Sequence, residues 1–215
     1  MATTSPTSTY VLGSTEAEHE RLVRQAANLA PFTERLFRDA GIRPGRRVLD
    51  IGSGIGDVTM LAARLVGPSG AVMGVDRDAS IIAKAEIRVA EAGLRNVTFL
   101  QSDIGEIERS EPFHAVVGRY ILEFVPDPRA VVCSLSKMLR PGGVLAIQDA
   151  CWGPFLHLTP HLPLRSKCAA LLYKAFERSG ANMNMELTLY RTFQEAGLTP
   201  PQMRAESNQQ RSRLH

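Results

Sequence analysis

The residues best able to do chemistry lie where an apolar run, Val48-Leu49-Asp50-Ile51, gives way to Gly52-Ser53-Gly54-Ile55-Gly56-Asp57. Glycines at alternate positions let a ligand approach a backbone that side chains would otherwise shield. A dinucleotide fingerprint needs G-x-G-x-x-G, and its third glycine would fall at position 57, where an aspartate stands. A diphosphate is held by the free N–H groups and partial positive charge of a helix N-terminus, and a carboxylate there both occupies those donors and repels the anion. Asp57 therefore predicts a ligand carrying positive charge, with an N-cap of the following helix as its plainer role. Asp76 closes Val72-Met73-Gly74-Val75-Asp76, 24 positions after Gly52. That is near the offset of about 20 at which a strand-end carboxylate accepts the hydroxyls of a ribose. Asp103 closes Phe99-Leu100-Gln101-Ser102-Asp103, so three successive strands offer ligand-facing residues at one edge. The turn is not a nucleophile elbow, because Ile51 stands where G-x-S-x-G needs glycine.

Candidates for proton transfer are Glu123, Asp149, His157 and His161, and none stands out from the others. Tyr120, Phe124, Trp152 and Phe155 could line an apolar acceptor pocket or pack as ordinary core. His157 and His161 have i, i+4 spacing, but Pro160 lies between them and no third ligand is evident, so no metal is expected. Cys133 and Cys168 fall on apolar helix faces and read as core.

The elements that must carry these residues follow from the hydrophobic pattern. Short apolar runs at Arg47–Ile51, Ala71–Asp76, Val97–Gln101, Ala115–Leu122 and Val144–Asp149 read as strands covered on both faces. Amphipathic stretches at Asp57–Val66, Ala79–Ala92 and Pro128–Leu139 read as the helices between them. Alternation of this kind predicts an α/β fold, a doubly wound and mostly parallel sheet with helices on both faces. Before it, Thr15 and Glu18 have capping-box spacing at the head of a helix that Pro31 should break, with a second segment ending at Gly41. After Ala150 a proline-rich connector leads to helices at Leu164–Ser179 and Met185–Ala196, and Gln202–Glu206 reads as the start of a further strand. The expected organisation is a loose arm over 1–13, a single domain over 14–206, and a tail over 207–215. Within the domain, 14–45 form an N-terminal helical cap, 46–150 the core and 151–206 the connector and C-terminal helices.

A chain of 215 residues that is 44% hydrophobic can bury a sizeable core. Its 25 Lys and Arg against 22 Asp and Glu leave a net charge of +3 without a basic run, which argues against dedicated nucleic-acid binding. No stretch nears the roughly 18 apolar residues of a membrane span, and the Ser/Thr-rich start lacks a secretory signal. With three cysteines and no C-x-x-C, the expected setting is the reducing cytoplasm, where the sequon Asn96-Val97-Thr98 has no consequence.

The motifs VLDIGSGIGD, VMGVD, FLQSD, GRYILEFVPDP and LRPGGVLAIQDA, in that order over about 46–150, resemble the class I S-adenosylmethionine-dependent methyltransferases of the small-molecule type. The resemblance implies a Rossmann-like fold, S-adenosyl-L-methionine as cofactor and methyl transfer to a small-molecule acceptor by in-line displacement. It implies that Gly52, Ser53, Gly54 and Gly56 wrap the methionine part, with Asp50 and Asp57 beside them. By the same resemblance Asp76 binds the ribose hydroxyls, Asp103 with Ile104 borders the adenine, and Gly118 and Arg119 form part of the pocket wall, with Arg77 and Ser102 as further candidates for the cofactor site. The helical stretch from Glu18 to Gln25, with Tyr10, resembles the cap over cofactor and acceptor. Two departures stand out. His114 occupies the place where the family's fourth strand usually opens with an aspartate, and the family's terminal strand pair looks incomplete here. An unpaired edge beside the fifth strand would invite association of copies. The alternative readings are a cofactor-binding but inactive or partner-dependent protein and, less favoured because of Asp57, an NAD(P)-dependent oxidoreductase with Arg77 on a 2′-phosphate.

Overall fold

The computed structural model describes residues 15–107, 111–157 and 162–206, with the backbone alone at 154, 155 and 157. Five strands, β1 (Arg47–Ile51), β2 (Ala71–Asp76), β3 (Val97–Gln101), β4 (Phe113–Arg119) and β5 (Leu139–Gln148), form one sheet in the order β3-β2-β1-β4-β5. Every pairing is parallel. The doubly wound parallel sheet expected from the sequence is therefore present, and β1 lies at its centre.

Strand alternation divides the core between two faces. Val48, Val72, Ala115, Val117 and Ala146 turn to one side and pack on α1 (Glu16–Asp39) and α2 (Asp57–Val66). Leu49, Ile51, Val75 and Val116 turn to the other, where Leu135 of α4 (Pro128–Ser136) meets them. Val132 of α4 continues that layer into Met185, Leu189 and Phe193 of α7 (Met185–Glu195). Residues 48, 49, 51, 72, 75 and 116 are all at most 1% exposed, and each such side chain contributes roughly 1.5–3 kcal/mol through its burial.

The helix starts are chemically specified. Asp78 accepts from the backbone N–H groups of Ser80 and Ile81 and opens α3 (Ala79–Glu91), while Asp127 does the same for Ala130 with Pro128 at the first position of α4. At α1 the Thr15 hydroxyl accepts from the Glu18 N–H, but Glu18 turns to Arg21 at 2.7 Å instead of reaching back. Only half of the expected capping box forms.

Several boundaries depart from the sequence expectation. Pro31 does not break the N-terminal helix: α1 runs on to Asp39. It is held on both sides of the proline, by the Lys84–His19 contact at 2.8 Å before it and by Thr33 donating to Gln148 at 2.7 Å and Phe37 in the core after it. These tertiary contacts outweigh the lost backbone hydrogen bond. Strand β4 stops at Arg119, three residues early, because Tyr120 takes φ +57° and Leu122–Phe124 close a 3-10 turn. Helix α4 ends at Ser136, and the Met138 carbonyl accepts from Phe113 as β5 begins. Beyond α5 (Trp152–His157) and α6 (Pro163–Arg178), residues 202–206 form no strand. They run along α1, tied by Arg204 to Asp39 at 2.8 Å and Glu206 to Arg35 at 3.1 Å. Cys168 is exposed on α6, contrary to the core reading, and Cys133 is half-buried. No helix among the described residues is long and apolar enough to cross a membrane. The 1–13 arm with Tyr10, the side chains of Phe155 and His157, all of His161, and the 207–215 tail lie outside the described residues.

Candidate functional site

The carboxyl edge of the sheet gathers the glycine turn, the strand-end acids and the residues after β4 and β5. Gly52, Gly54 and Gly56 all take left-handed φ, at +63°, +52° and +86°. At Gly52 a Cβ would come within 2.5 Å of the Ile121 Cδ1, whereas at Gly54 nothing lies within 4 Å of that point. The turn is thus closed underneath by Ile121 and open above at Gly54. Gly118 of β4 is closed in the same way, since a Cβ there would meet Ile51 at 2.8 Å and Ile121 at 2.9 Å.

Asp76 accepts from the Gly54 N–H at 2.9 Å with one oxygen and from the Asp78 N–H at 3.0 Å with the other. It pins the turn to the end of β2, and each oxygen keeps a second lone pair for a ligand donor. Arg77 beside it is exposed, and its carbonyl accepts from Gln101. Ser102 donates its N–H to the Asp76 carbonyl and its hydroxyl to the Asp103 carbonyl. Asp103 caps the 3-10 turn Ile104–Glu106 through the Gly105 N–H at 3.0 Å, and Ile104 packs against the core below.

Two buried polar atoms under the turn are unmatched. Ser53 is 6% exposed and its Oγ has no partner; Asp50 is 1% exposed, its Oδ2 accepts from Thr59 at 2.6 Å and its Oδ1 has none. Burial raises the Asp50 pKa to about 7, against the Thr59 hydrogen bond and the Arg119 charge that favour ionisation. Unmatched buried groups of this kind are costly unless something else supplies the partner.

Asp57 departs from its expected role as a cap. The N-cap is Gly56, and Asp57 is the first helical residue, paired with Arg88 of α3 at 2.7 Å. Arg88 also donates to the Ile55 carbonyl, so this pair clamps the turn between α2 and α3. Arg119 donates to Thr33 Oγ1 at 3.3 Å, linking the end of β4 to α1, and burial lowers its pKa despite the charges of Asp57 and Asp50.

A second group of acids lies past β4 and β5. Glu123 is 3% exposed and accepts from the Trp152 indole N–H at 3.2 Å. Burial first, then the Asp149 charge, lifts its pKa to about 7. Asp149 also rises to about 7, chiefly by burial and then by Glu186, and its buried oxygens lack a well-formed hydrogen bond, the Ile121 N–H being the group that favours ionisation. Glu186 of α7 adds a third carboxylate with a buried, unmatched Oε2. Tyr120 stands beside them with its phenol pKa raised by burial and by Glu123 and Asp149, although Arg119 opposes the shift. Trp152 packs on Phe176 at 5.6 Å and Phe124 on Phe176 at 5.8 Å. The structure therefore brings Glu123, Asp149, Tyr120 and Trp152 together, as candidates of one region. Sequence reading missed Glu186 and Thr33, because no spacing connects a residue of α7 or α1 to strand ends more than thirty positions away, and it missed Thr59, whose bond to Asp50 nine positions earlier depends on how α2 packs against β1. Among the described residues no three His, Cys, Asp or Glu side chains are arranged to hold a metal ion.

A family model described as "Methyltransferase domain" matches residues 42–197. The chain is 39% identical over 111 residues to an arsenite methyltransferase of Halobacterium salinarum, covering 51% of this chain and 28% of that protein. It is 36% identical over 112 residues to the ubiquinone/menaquinone biosynthesis C-methyltransferase UbiE of Pseudomonas paraeruginosa, covering 51% and 44%. The matched region spans less than half the length of both relatives. Among solved structures, an arsenic(III) S-adenosylmethionine methyltransferase from Chlamydomonas reinhardtii superposes with a TM-score of 0.54 at 27% identity, over 74% of this chain and 53% of the other. A SAM-dependent methyltransferase from Aquifex aeolicus does so at 0.50 and 25%, over 54% and 62%.

Proposed function

This chain belongs to the class I S-adenosylmethionine-dependent methyltransferase family, and on that premise we propose that it transfers a methyl group to a small-molecule acceptor. The observation that carries the reading is the pair of unmatched buried atoms, Ser53 Oγ and Asp50 Oδ1, beneath a glycine turn that is open at Gly54. A nucleoside with an amino-acid tail and a sulfonium supplies the donors and the positive charge that these atoms lack. A diphosphate supplies neither, which disfavours an NAD(P)-dependent oxidoreductase.

In this proposal Gly52, Ser53, Gly54 and Gly56 hold the methionine portion with Asp50 beneath, and Asp57 fixes the turn through Arg88. Asp76 takes the ribose hydroxyls on its spare lone pairs, with Arg77 at the rim. Ser102, Asp103 and Ile104 border the adenine, and Gly118 and Arg119 close the wall. When bound, S-adenosylmethionine supplies an electrophilic methyl group, so the protein's task is to align an acceptor atom and exclude water.

The acceptor is assigned to the region of Tyr120, Glu123, Asp149 and Trp152. A carboxylate with a pKa of about 7 is suited to taking a proton from a phenol, enol or ammonium at neutral pH. The surplus of carboxylates with aromatic rings favours neutral or cationic apolar acceptors over anionic ones. The domain is proposed to comprise 14–206, with α1 as its cap through the Thr33–Arg119 and Thr33–Gln148 contacts. Arrangement in the cell as a single copy or an association through β5, and a cytoplasmic setting, are part of the same reading.

Calorimetric titration tests it. S-adenosylmethionine or its demethylated product should bind in the micromolar range, and Asp76→Ala should weaken binding by about 1.5–3 kcal/mol, the range for hydrogen bonds to a charged group. Tighter binding of NADPH, or unchanged affinity in the variant, overturns the assignment. Binding without turnover on any phenol, amine or quinol acceptor removes the transfer step and leaves the cofactor site standing.

A further inference from the structure

We propose that the end of the sheet opposite the glycine turn carries a second ligand site, for a small phosphate-type oxyanion. A cavity of about 210 Å³ lies there, lined by residues that include Arg43, Arg46, His114, Arg140 and Gly142. Three arginines and a histidine line this cavity, and its lining contains no acid. None of the three arginines has an ion-pair partner among the described residues. Adjacent Arg47 is the contrast: it pairs with Glu111 at 2.9 Å and lies over the Phe113 ring at 4.9 Å.

The backbone builds this convergence. Phe113 pairs with Leu139 and Ala115 with Val144, so one residue of β4, His114, faces an excursion of four residues, 140–143, in β5. Gly142 makes that excursion possible with φ +74°, a conformation that costs a side-chain-bearing residue more. Arg140 is thereby placed in the excursion opposite His114, while Arg43 and Arg46 come from the segment between α1 and β1. The His114 Nδ1 accepts from the Arg47 backbone N–H at 3.1 Å, which leaves the hydrogen of a neutral ring on Nε2. The ring is thus a donor like its neighbours. Burial first, then the charges of Arg140 and Arg46, lowers the His114 pKa, and burial first, then the charges of Arg43 and Arg140, lowers that of Arg46. The cluster repels itself, and a bound anion relieves that repulsion.

Guanidinium groups match the paired oxygens of phosphate and carboxylate, and several of them converging favour the more highly charged group. The volume selects further. Sites for drug-sized ligands run to about 300–1,000 Å³, so this one holds a phosphate or diphosphate group rather than a whole nucleotide. Along β1 the cavity and the glycine turn are separated by about 15 Å, at roughly 3.3 Å per residue, which makes this site independent of the cofactor cleft.

The test is calorimetric titration of the full chain at low ionic strength with inorganic phosphate, pyrophosphate and adenosine 5′-monophosphate. Pyrophosphate should bind saturably with Kd below about 1 mM. Arg46→Ala and Arg140→Ala should each weaken it about tenfold or more, and His114→Asp should abolish it by placing a carboxylate among the cations. Arg178→Ala, an equal loss of charge on α6, should leave it unchanged, and saturating S-adenosylhomocysteine should not displace it. Tighter binding of adenosine 5′-monophosphate with the same variant dependence identifies an organic phosphate as the source, and tighter pyrophosphate a free one. Absence of saturable binding, insensitivity to Arg46→Ala and His114→Asp in variants that keep the parent circular dichroism spectrum, or displacement by the nucleoside overturns the proposal.

Discussion

Replacing Asp50 by Asn should remove a specific part of the protein's pH dependence. Asp50 is 1% exposed, and burial lifts its folded pKa to about 7 from an unfolded value of 3.8. A carboxyl group whose pKa is raised on folding keeps its proton longer in the native state. Its contribution is therefore fully present below pH 3.8 and is lost as pH rises through 7. Between pH 5 and pH 8.5 most of the change spans the two units from 5 to 7, which at 1.36 kcal/mol per unit is about 2–3 kcal/mol. The stability difference between parent and Asp50→Asn, from urea titrations, should move by that amount in favour of the variant as pH rises. Ligand binding should move the other way. A cation over the turn favours ionised Asp50, so parent affinity for S-adenosylmethionine should rise about tenfold from pH 6 to pH 8.5. The variant's profile should lack that component. A stability difference that is flat across this range, or a parent affinity that falls with pH while the variant's does not, would refute a buried, ligand-directed carboxylate at this position.

Gly118→Ala should cost about 1–3 kcal/mol in urea unfolding, because the new methyl would sit 2.8 Å from Ile51 and 2.9 Å from Ile121. Thr33→Val should cost a similar amount, about 1–3 kcal/mol, by stranding Gln148 and Arg119. Faster hydrogen exchange in α1 than in β1 would mark the loss as local to the cap, and uniform exchange across both would contradict it.

The inner strands β1 and β2 were legible because burial on both faces leaves a clear signal, and the edge strand β3, though partly exposed, also begins and ends where its apolar run does. Strand β4 was read too long for the same reason. Tyr120, Ile121 and Leu122 continue the apolar run, yet the chain has already turned, and nothing local announces the left-handed Tyr120. Pro31 misled in the opposite sense, since local chemistry forecast a break that distant contacts to His19, Thr33 and Phe37 override. The glycine turn and Asp76 were readable because backbone geometry and strand ends write themselves into spacing. Glu186 was not, since α7 reaches Glu123 and Asp149 only through tertiary packing.

Asp57 carries the largest revision in the site. Its spacing suggested that an uncompensated carboxylate turns phosphate away, but Arg88 meets that charge at 2.7 Å and leaves a neutral clamp. Selection against an anion then falls to what lies under the turn. Asp50 and Ser53 present acceptor atoms that are buried and unmatched, and Asp76 spends one lone pair of each oxygen on the turn itself. A phosphate entering this cleft would meet the acceptor oxygens of Asp50 and Asp76, and of these atoms only the Ser53 hydroxyl has a hydrogen to donate to it. The sheet's two ends thus differ in kind: the carboxyl end offers buried acceptors to a donor-rich cation, and the amino end offers Arg43, Arg46, Arg140 and His114 to an anion. A single fold separates the two chemistries by the length of β1, so each can be removed by substitution without disturbing the other.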